Sequence, residues 1–506
     1  MRGIAELTRP TAEWALLGIL LGSASFALLF NELGDGRFTA GYGLLSWLFL
    51  GSVVAYWGHL YLKRPGRVDL WTVSLVFAAV FFCAGGIVGL DPVFASTARV
   101  GHSLQVFLLL ALGLIASRAG FLLMCPAGGA GALKSQLCVR VQATRLTVVF
   151  LATASIWGLR WYGASQGLVV ADVGDVMTEV GAGASTLIQL GQLGHLLILF
   201  LGVVLLMDPR PLRRCVGLLL FAGELGYAPL WSRRSLFVVI VALLLVGLWT
   251  GRRLRLRQIV AYSAVAAFLL FVMWPFIFHL RAVAQNSGLY RAGIAARTDI
   301  LIRDVIPDAL ATFDLRASFG ADSPYLYNVR ERSNIADLLV DVMAAHDRGV
   351  PFMGGRVFLA ALVATIPRAI WPGKERLMAT QSWQVEELIE EHFGLPIVDM
   401  ASTVLTHGYV DGGLLGVLIY MAFLGGFLGV CERSLGASRS SFLGVYVYAL
   451  GLATAIQVEG DVTNLFAFGR LIGVLLLVDW LAGRRIERLV TAARRRAPLG
   501  RPAWEA

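Results

Sequence analysis

Apolar blocks close to the ~20 residues that an α-helix needs to cross a bilayer dominate this chain. They fall at 14–30, 40–62, 70–90, 103–124, 146–163, 186–207, 215–231, 235–250 and 259–279. The pattern then changes. Residues 280–411 are mostly polar, broken by one short apolar stretch at 356–371. Three further blocks follow at 412–430, 441–458 and 465–482. The expected fold is an all-α polytopic membrane protein with about 12 transmembrane helices. Its parts are a nine-span membrane domain over 1–279, a large outer segment over 280–411, a three-span membrane domain over 412–482 and a basic tail over 483–506.

Composition supports this pattern. The chain is 57% hydrophobic and only 15% charged, where soluble globular chains run at about 25% charged. A soluble enzyme, a disordered chain and a nucleic-acid binder are excluded. The start, with Arg2 and Arg9 before an apolar run from Trp14 to Phe30, resembles a signal peptide, and Gly22-Ser23-Ala24-Ser25 imitates a cleavage site. The many blocks that follow favour an uncleaved first span. Five cysteines, Cys83, Cys125, Cys138, Cys215 and Cys431, show no C-x-x-C spacing, and free thiols with no metal site are expected.

The net charge of +10 acquires meaning only from where the charges sit. With the amino terminus inside, cytoplasmic segments hold most of the basic residues: Lys63, Arg64 and Arg67; Arg210, Arg213 and Arg214; Arg252, Arg253, Arg255 and Arg257; and the arginine-rich tail from Arg484 to Arg501. The short outer loops hold only Arg37, Arg99, Arg160, Arg233 and Arg234. Cytoplasmic loops retain Lys and Arg, so both termini are expected to be cytoplasmic. The stretch at 356–371 then cannot cross, because crossing would put the tail outside. It is also short, and ends in Pro367, Arg368 and Pro372. It is expected to be a re-entrant or interfacial helix on the outer side. Residues 280–411 carry 12 basic and 16 acidic residues. The positive balance therefore belongs to the cytoplasmic face, where anionic lipid headgroups are its natural partner; no nucleic acid is needed to explain it.

Three groups of charge are left without a topological reason. The first is the tight outer turn Trp231-Ser232-Arg233-Arg234-Ser235. Paired guanidinium groups hold phosphate by bidentate, charge-assisted hydrogen bonds; they also serve as interfacial anchors. The second is Thr365-Ile366-Pro367-Arg368-Ala369-Ile370-Trp371-Pro372-Gly373-Lys374, either a cationic turn at the end of a non-crossing helix or a simple basic cap. The third comprises Glu224, His407, Asp411, Glu459, Asp461 and Arg470, ionisable residues in or at the rim of apolar blocks. His407 and Asp411 are four apart and share a helix face if the helix starts before them, although Gly412-Gly413 follows at once. A histidine beside a carboxylate is either a general base or a structural pair. Glu386, Glu387, Glu390 and Glu391 read as the wet face of an amphipathic helix whose dry side is Leu388, Ile389 and Phe393. No Walker A loop, dinucleotide fingerprint or HExxH motif occurs, so no nucleotide site and no cofactor are expected.

A turn of the form WSRRS leading into an apolar block, an outer segment ending in IPRAIWPGK, and STVLTHGYVDGGLLGVLIY opening the next block together resemble the Wzy-type oligosaccharide repeat-unit polymerases, or O-antigen polymerases. The resemblance spans residues 225–430. Some members carry an Arg-x10-Gly motif; here eleven residues separate Arg281 from Gly293. The resemblance implies the multi-span lipid-donor glycosyltransferase class in a bacterial inner membrane. It also implies a substrate of oligosaccharide units on undecaprenyl (polyprenyl) pyrophosphate, polymerised at the periplasmic face into a surface polysaccharide. Neither metal nor nucleotide is implied, and a flippase and a chain-length regulator are partner candidates. On this basis Arg233, Arg234, Arg281, Arg368 and Lys374 are candidates for the pyrophosphate, and Trp231 and Trp371 for stacking on sugar. His407, Asp411 and Glu224, in that order, are candidates for the base that activates the acceptor hydroxyl. An O-antigen-ligase-type glycan transferase and a polysaccharide or lipid-linked-sugar transporter without chemistry are the alternatives. Transporters tend to be built from two corresponding halves, and the single large outer segment breaks such symmetry.

Overall fold

Proline, glycine and apolar periodicity set the helix boundaries of this chain. The computed structural model describes residues 39–63, 68–88, 97–125, 142, 145–165, 182–231, 264, 268–287, 296, 299–319, 335–366, 370–371, 373–374, 385–395, 402–437, 441–458, 460 and 462–473. Among the described residues the secondary structure is helical, with no strand. The expected blocks at 14–30 and 235–250 lie outside them.

Six helices come first: α1 (Thr39–Lys63), α2 (Leu70–Val88), α3 (Thr97–Met124), α4 (Leu146–Ser165), α5 (Ala182–Leu206) and α6 (Pro211–Trp231). Helix α7 (Trp274–Asn286) is entered through a π-helical turn, Leu269–Met273, and α8 (Ile306–Thr312) through another, Leu301–Val305. Each of these turns leads into a proline, Pro275 or Pro307, whose missing N–H and ring disrupt the regular ladder. Helix α7 carries the block at 259–279 past its expected end, to Asn286. Short α9 (Leu315–Ser318), α10 (Asp337–Asp347), α11 (Arg356–Thr365) and α12 (Val385–Phe393) follow within residues 280–411. Then come α13 (Val404–Ala437), α14 (Ser441–Ile456) and α15 (462–473).

Among the described residues two helices are long and apolar enough to cross a membrane by length and composition, Leu104–Met124 of α3 and Val404–Leu435 of α13. They pack along each other through glycine. A Cβ on Gly425 would lie 1.8 Å from the Ser117 carbonyl, and one on Gly120 would lie 2.1 Å from that of Ala422. Small residues let helix backbones approach where lipid offers no hydrophobic drive for association. The same device joins α5 to α6, where a Cβ on Gly217 would lie 2.3 Å from the Leu206 nitrogen. Helix α14 packs against α2, α5 and α13.

Polar groups occupy the interior. Arg118 reaches Asp69 at 3.4 Å and lies over the rings of Trp71 and Phe121. Asp69 caps α2 by accepting from Thr72 N and Thr72 Oγ1 at 2.9 and 2.7 Å. Glu432 accepts from Leu70 N at 3.1 Å. Leu123, Leu151, Trp161, Leu219 and Leu415 face outward. On α12, Leu388, Ile389 and Phe393 are buried while Glu387 and Glu391 are exposed, as the amphipathic pattern requires. Glu390 departs from that pattern: it is buried with the apolar face.

Candidate functional site

Within the stretch at 356–371 the structure describes helix α11, Arg356–Thr365. Its ten residues rise about 15 Å, half of the ~30 Å hydrocarbon core. Gly354 and Gly355 lead into it with φ of +64° and +90°, a left-handed backbone that glycine adopts without penalty. Gly355 stands at the N-cap and offers no side-chain acceptor, so the first N–H groups of the helix must find one elsewhere. Asp411 supplies it. Its Oδ1 accepts from Val357 N and its Oδ2 from Phe358 N, both at 3.0 Å, and the Tyr420 hydroxyl also donates to Oδ2. The carbonyls of Val410 and Asp411 accept from Met353 N and Gly354 N at 2.9 Å.

Cations hold the other end. Lys374 Nζ donates to the carbonyls of Val363 at 3.3 Å, Ala364 at 2.7 Å and Ile366. The Arg470 guanidinium, from α15, donates to the Thr365 carbonyl at 2.7 Å. A carboxylate at the N-terminus and cations at the C-terminus both match the helix macrodipole.

Asp411 is delivered by a helical hairpin. Thr403 starts α13 by accepting from Thr406 N at 3.0 Å, the bond of an N-cap. The helix runs to Asp411 and breaks at Gly412 and Gly413, where Gly413 takes φ +58°. The chain then folds back so closely that a Cβ on Gly416 would lie 1.9 Å from the Gly408 carbonyl. His407 and Asp411 thus share one short helix but serve different neighbours. His407 Nδ1 accepts from Val462 N at 3.3 Å, at the start of α15. A neutral ring accepting at Nδ1 carries its proton on Nε2.

Glu224 lies in a different part of the molecule. Both of its carboxylate oxygens accept from Arg160, at 2.7 and 2.8 Å, and both side chains are buried. Arg160 Nε donates to the Gly191 carbonyl at 3.2 Å, and the guanidinium lies over Trp157. Arg160, expected in a short outer loop, is therefore an interior residue of α4. Arg281 is half-buried on α7, which packs against α6, α8 and α9. Trp371 is partly exposed, and its carbonyl accepts from Lys374 N at 3.4 Å. Arg233, Arg234, Arg368, Glu459, Asp461 and the Trp231 side chain lie outside the described residues. Of the candidates, then, Asp411 and Lys374 hold opposite ends of α11, with Trp371 near the Lys374 end, and His407 ties the hairpin to α15.

Two participants had no signal strong enough to find them. Tyr420 lies nine residues beyond Asp411, across the Gly-Gly break. His102 Nε2 lies 2.7 Å from Asp347 Oδ2, a partner 245 residues away. Near the hairpin a small cleft opens between α2, α3, α13, α14 and α15. Phe82, Leu110, Met421 and Phe468 line its apolar wall, and Thr403, Thr454, Gln457 and Asn464 supply polar groups. Among the described residues no cluster of three or more His, Cys, Asp or Glu side chains could hold a metal ion. The chain matches no known protein family, no curated protein and no solved structure.

Proposed function

We propose that this chain is an inner-membrane glycosyltransferase that polymerises polyprenyl-pyrophosphate-linked oligosaccharide units at the periplasmic face. It has about 12 spans and cytoplasmic termini, and needs neither metal nor nucleotide. The observation that carries this reading is α11, a helix too short to cross and fixed at both ends by charged side chains, together with the hairpin that caps it, whose first residues Thr403, Val404 and Leu405 line an apolar cleft between long helices. Irregular backbone at membrane depth is tolerated where protein or a watery cavity satisfies it, and a lipid-linked donor needs such a lateral recess.

Several further contacts support the membrane arrangement. Apolar side chains face outward while Arg118 and Arg160 are paired inside, the inverse of a soluble surface. The His102–Asp347 bond joins the N-terminal part of α3 to the end of α10, which the proposed orientation puts on one side. The Asp69, Arg118 and Glu432 cluster joins helix ends on the other.

In this reading the leaving group is a lipid pyrophosphate, and cations fixed where its charge develops lower the barrier. Arg368, three residues past the end of α11, and the Arg233–Arg234 pair are those cations. Arg281 is a further candidate. Lys374 and Arg470 are positioning residues, since their donors hold the α11 carbonyls and so fix the entry to Arg368. Trp231 and Trp371 stack on sugar. A flippase and a chain-length regulator are the natural partners.

The test uses the purified full chain in liposomes. Its substrate is lipid-linked oligosaccharide extracted from host cells from which this chain has been deleted. A product ladder formed without nucleotide is expected. Transfer of single units to an unrelated acceptor would indicate a ligase, and movement across the bilayer without covalent change a transporter. A ladder that survives Arg233→Ala, Arg234→Ala and Arg368→Ala together would sink the pyrophosphate assignment. For orientation, Asp347→Cys should react with an impermeant thiol reagent in cells whose outer barrier is opened; protection there reverses the topology.

A further inference from the structure

Glycosyl transfer to a hydroxyl needs a proton acceptor, and the three groups considered for that role are engaged elsewhere. Asp411 caps α11, Glu224 is held on both oxygens by Arg160, and His407 Nδ1 receives Val462 N. One imidazole on the outer side is arranged differently. His102 is 7% exposed, and its Nε2 lies 2.7 Å from the Asp347 carboxylate. An ionised carboxylate only accepts, so the ring carries a proton on Nε2, and in its neutral form the lone pair is on Nδ1. That Nδ1 is buried and has no hydrogen-bond partner among the described residues. A buried acceptor left unsatisfied is a liability in a purely structural contact. It is what a group awaiting a hydroxyl donor requires.

The pair is also connected to the hairpin. Asp347 follows His346, whose ring stacks on Phe352 at 4.0 Å. Phe352 meets Tyr409 edge-on at 5.6 Å and closes over Gly413, where a Cβ would lie 2.9 Å from it. The bend at Gly413 directly follows Asp411 and so leads to α11.

We infer that His102 Nδ1 takes the proton from the acceptor sugar hydroxyl and that Asp347 is its positioning residue, an inference that rests on the polymerase reading. The hydroxyl oxygen forms its bond to the anomeric carbon of the donor while its proton passes to Nδ1. The anomeric carbon–oxygen bond breaks, and its electron pair leaves with the lipid pyrophosphate. Asp347 balances the imidazolium until its proton is released to water.

The experiment compares variants in the liposome assay described above. His102→Gln keeps an amide donor for Asp347 and removes the base. Its kcat should fall by about 10²–10⁴-fold, the usual worth of general-base catalysis, with KM and thermal midpoint unchanged. Asp347→Asn, an exposed change that leaves the fold intact, should lower kcat about tenfold, below the ~10²-fold floor for loss of the base itself, with KM unchanged. A kcat for His102→Gln within threefold of wild type overturns the inference and leaves the polymerase reading standing. Should His102→Gln fail to fold, an undiminished kcat in Asp347→Asn overturns it instead. A wild-type chain that makes no ladder removes both.

Discussion

Two acid–base pairs tie distant parts of this chain together, and they are built in opposite ways. Arg160 and Glu224 are closed: both side chains are buried, both carboxylate oxygens are engaged, and the guanidinium has further partners in Gly191 and Trp157. His102 and Asp347 are open: one bond joins them, the Asp347 side chain is 67% exposed, and the far nitrogen of the imidazole has no described partner. A closed pair has no capacity left for a ligand, so its contribution is to helix packing. An open pair contributes little to packing and can still exchange a proton.

That contrast can be broken at several points. The largest effect is expected at the closed pair. Glu224→Ala strands a buried guanidinium and should cost about 3–5 kcal/mol, seen as a lowered unfolding midpoint in detergent. Arg160→Met combined with Glu224→Leu should recover most of this. A single change that costs under about 1 kcal/mol would mean that the pair is wet and not closed. Next comes Asp411→Ala, which removes the acceptor for two N–H groups and a phenol, at about 1–3 kcal/mol. Asp411→Asn keeps an acceptor and should cost less than half of that; equal losses would show that charge and not capping matters. Lys374→Met should cost about 1 kcal/mol by leaving carbonyls unmet. Smallest of all, Asp347→Ala should change stability by no more than about 0.5 kcal/mol, as exposed substitutions do, while turnover falls. A large stability loss at Asp347 would make the open pair structural and erase the contrast.

Much of the helix map was legible because an apolar block announces itself locally. The block at 146–163 is α4 over Leu146–Ser165, and that at 441–458 is α14 over Ser441–Ile456. That the stretch at 356–371 holds only a short helix was legible too, from the length of its apolar run and from Pro367. Pairing was not. Arg160 and Glu224 are 64 residues apart, and nothing in either block names the other. Spacing placed His407 and Asp411 on one helix but could not say where they point. Gly412-Gly413 signalled a break but not that the chain would fold back to bring Gly416 against Gly408. Lys374 looked like a ligand for phosphate because sequence cannot show that three carbonyls lie within its reach.

The clamp on α11 has a consequence for how the protein is made. A ribosome supplies residues in order, and the partners of α11 arrive at very different times. Lys374 follows within 8 to 11 residues of the carbonyls it holds. Asp411 follows its two N–H groups by 53 and 54 residues, and Arg470 follows Thr365 by 105. Residues around α11 are therefore synthesised well before that helix can be fully fastened. Its last tie comes from α15, so a nascent protein stalled before residue 470 presents an incompletely fastened α11 to any quality-control protease that reaches it.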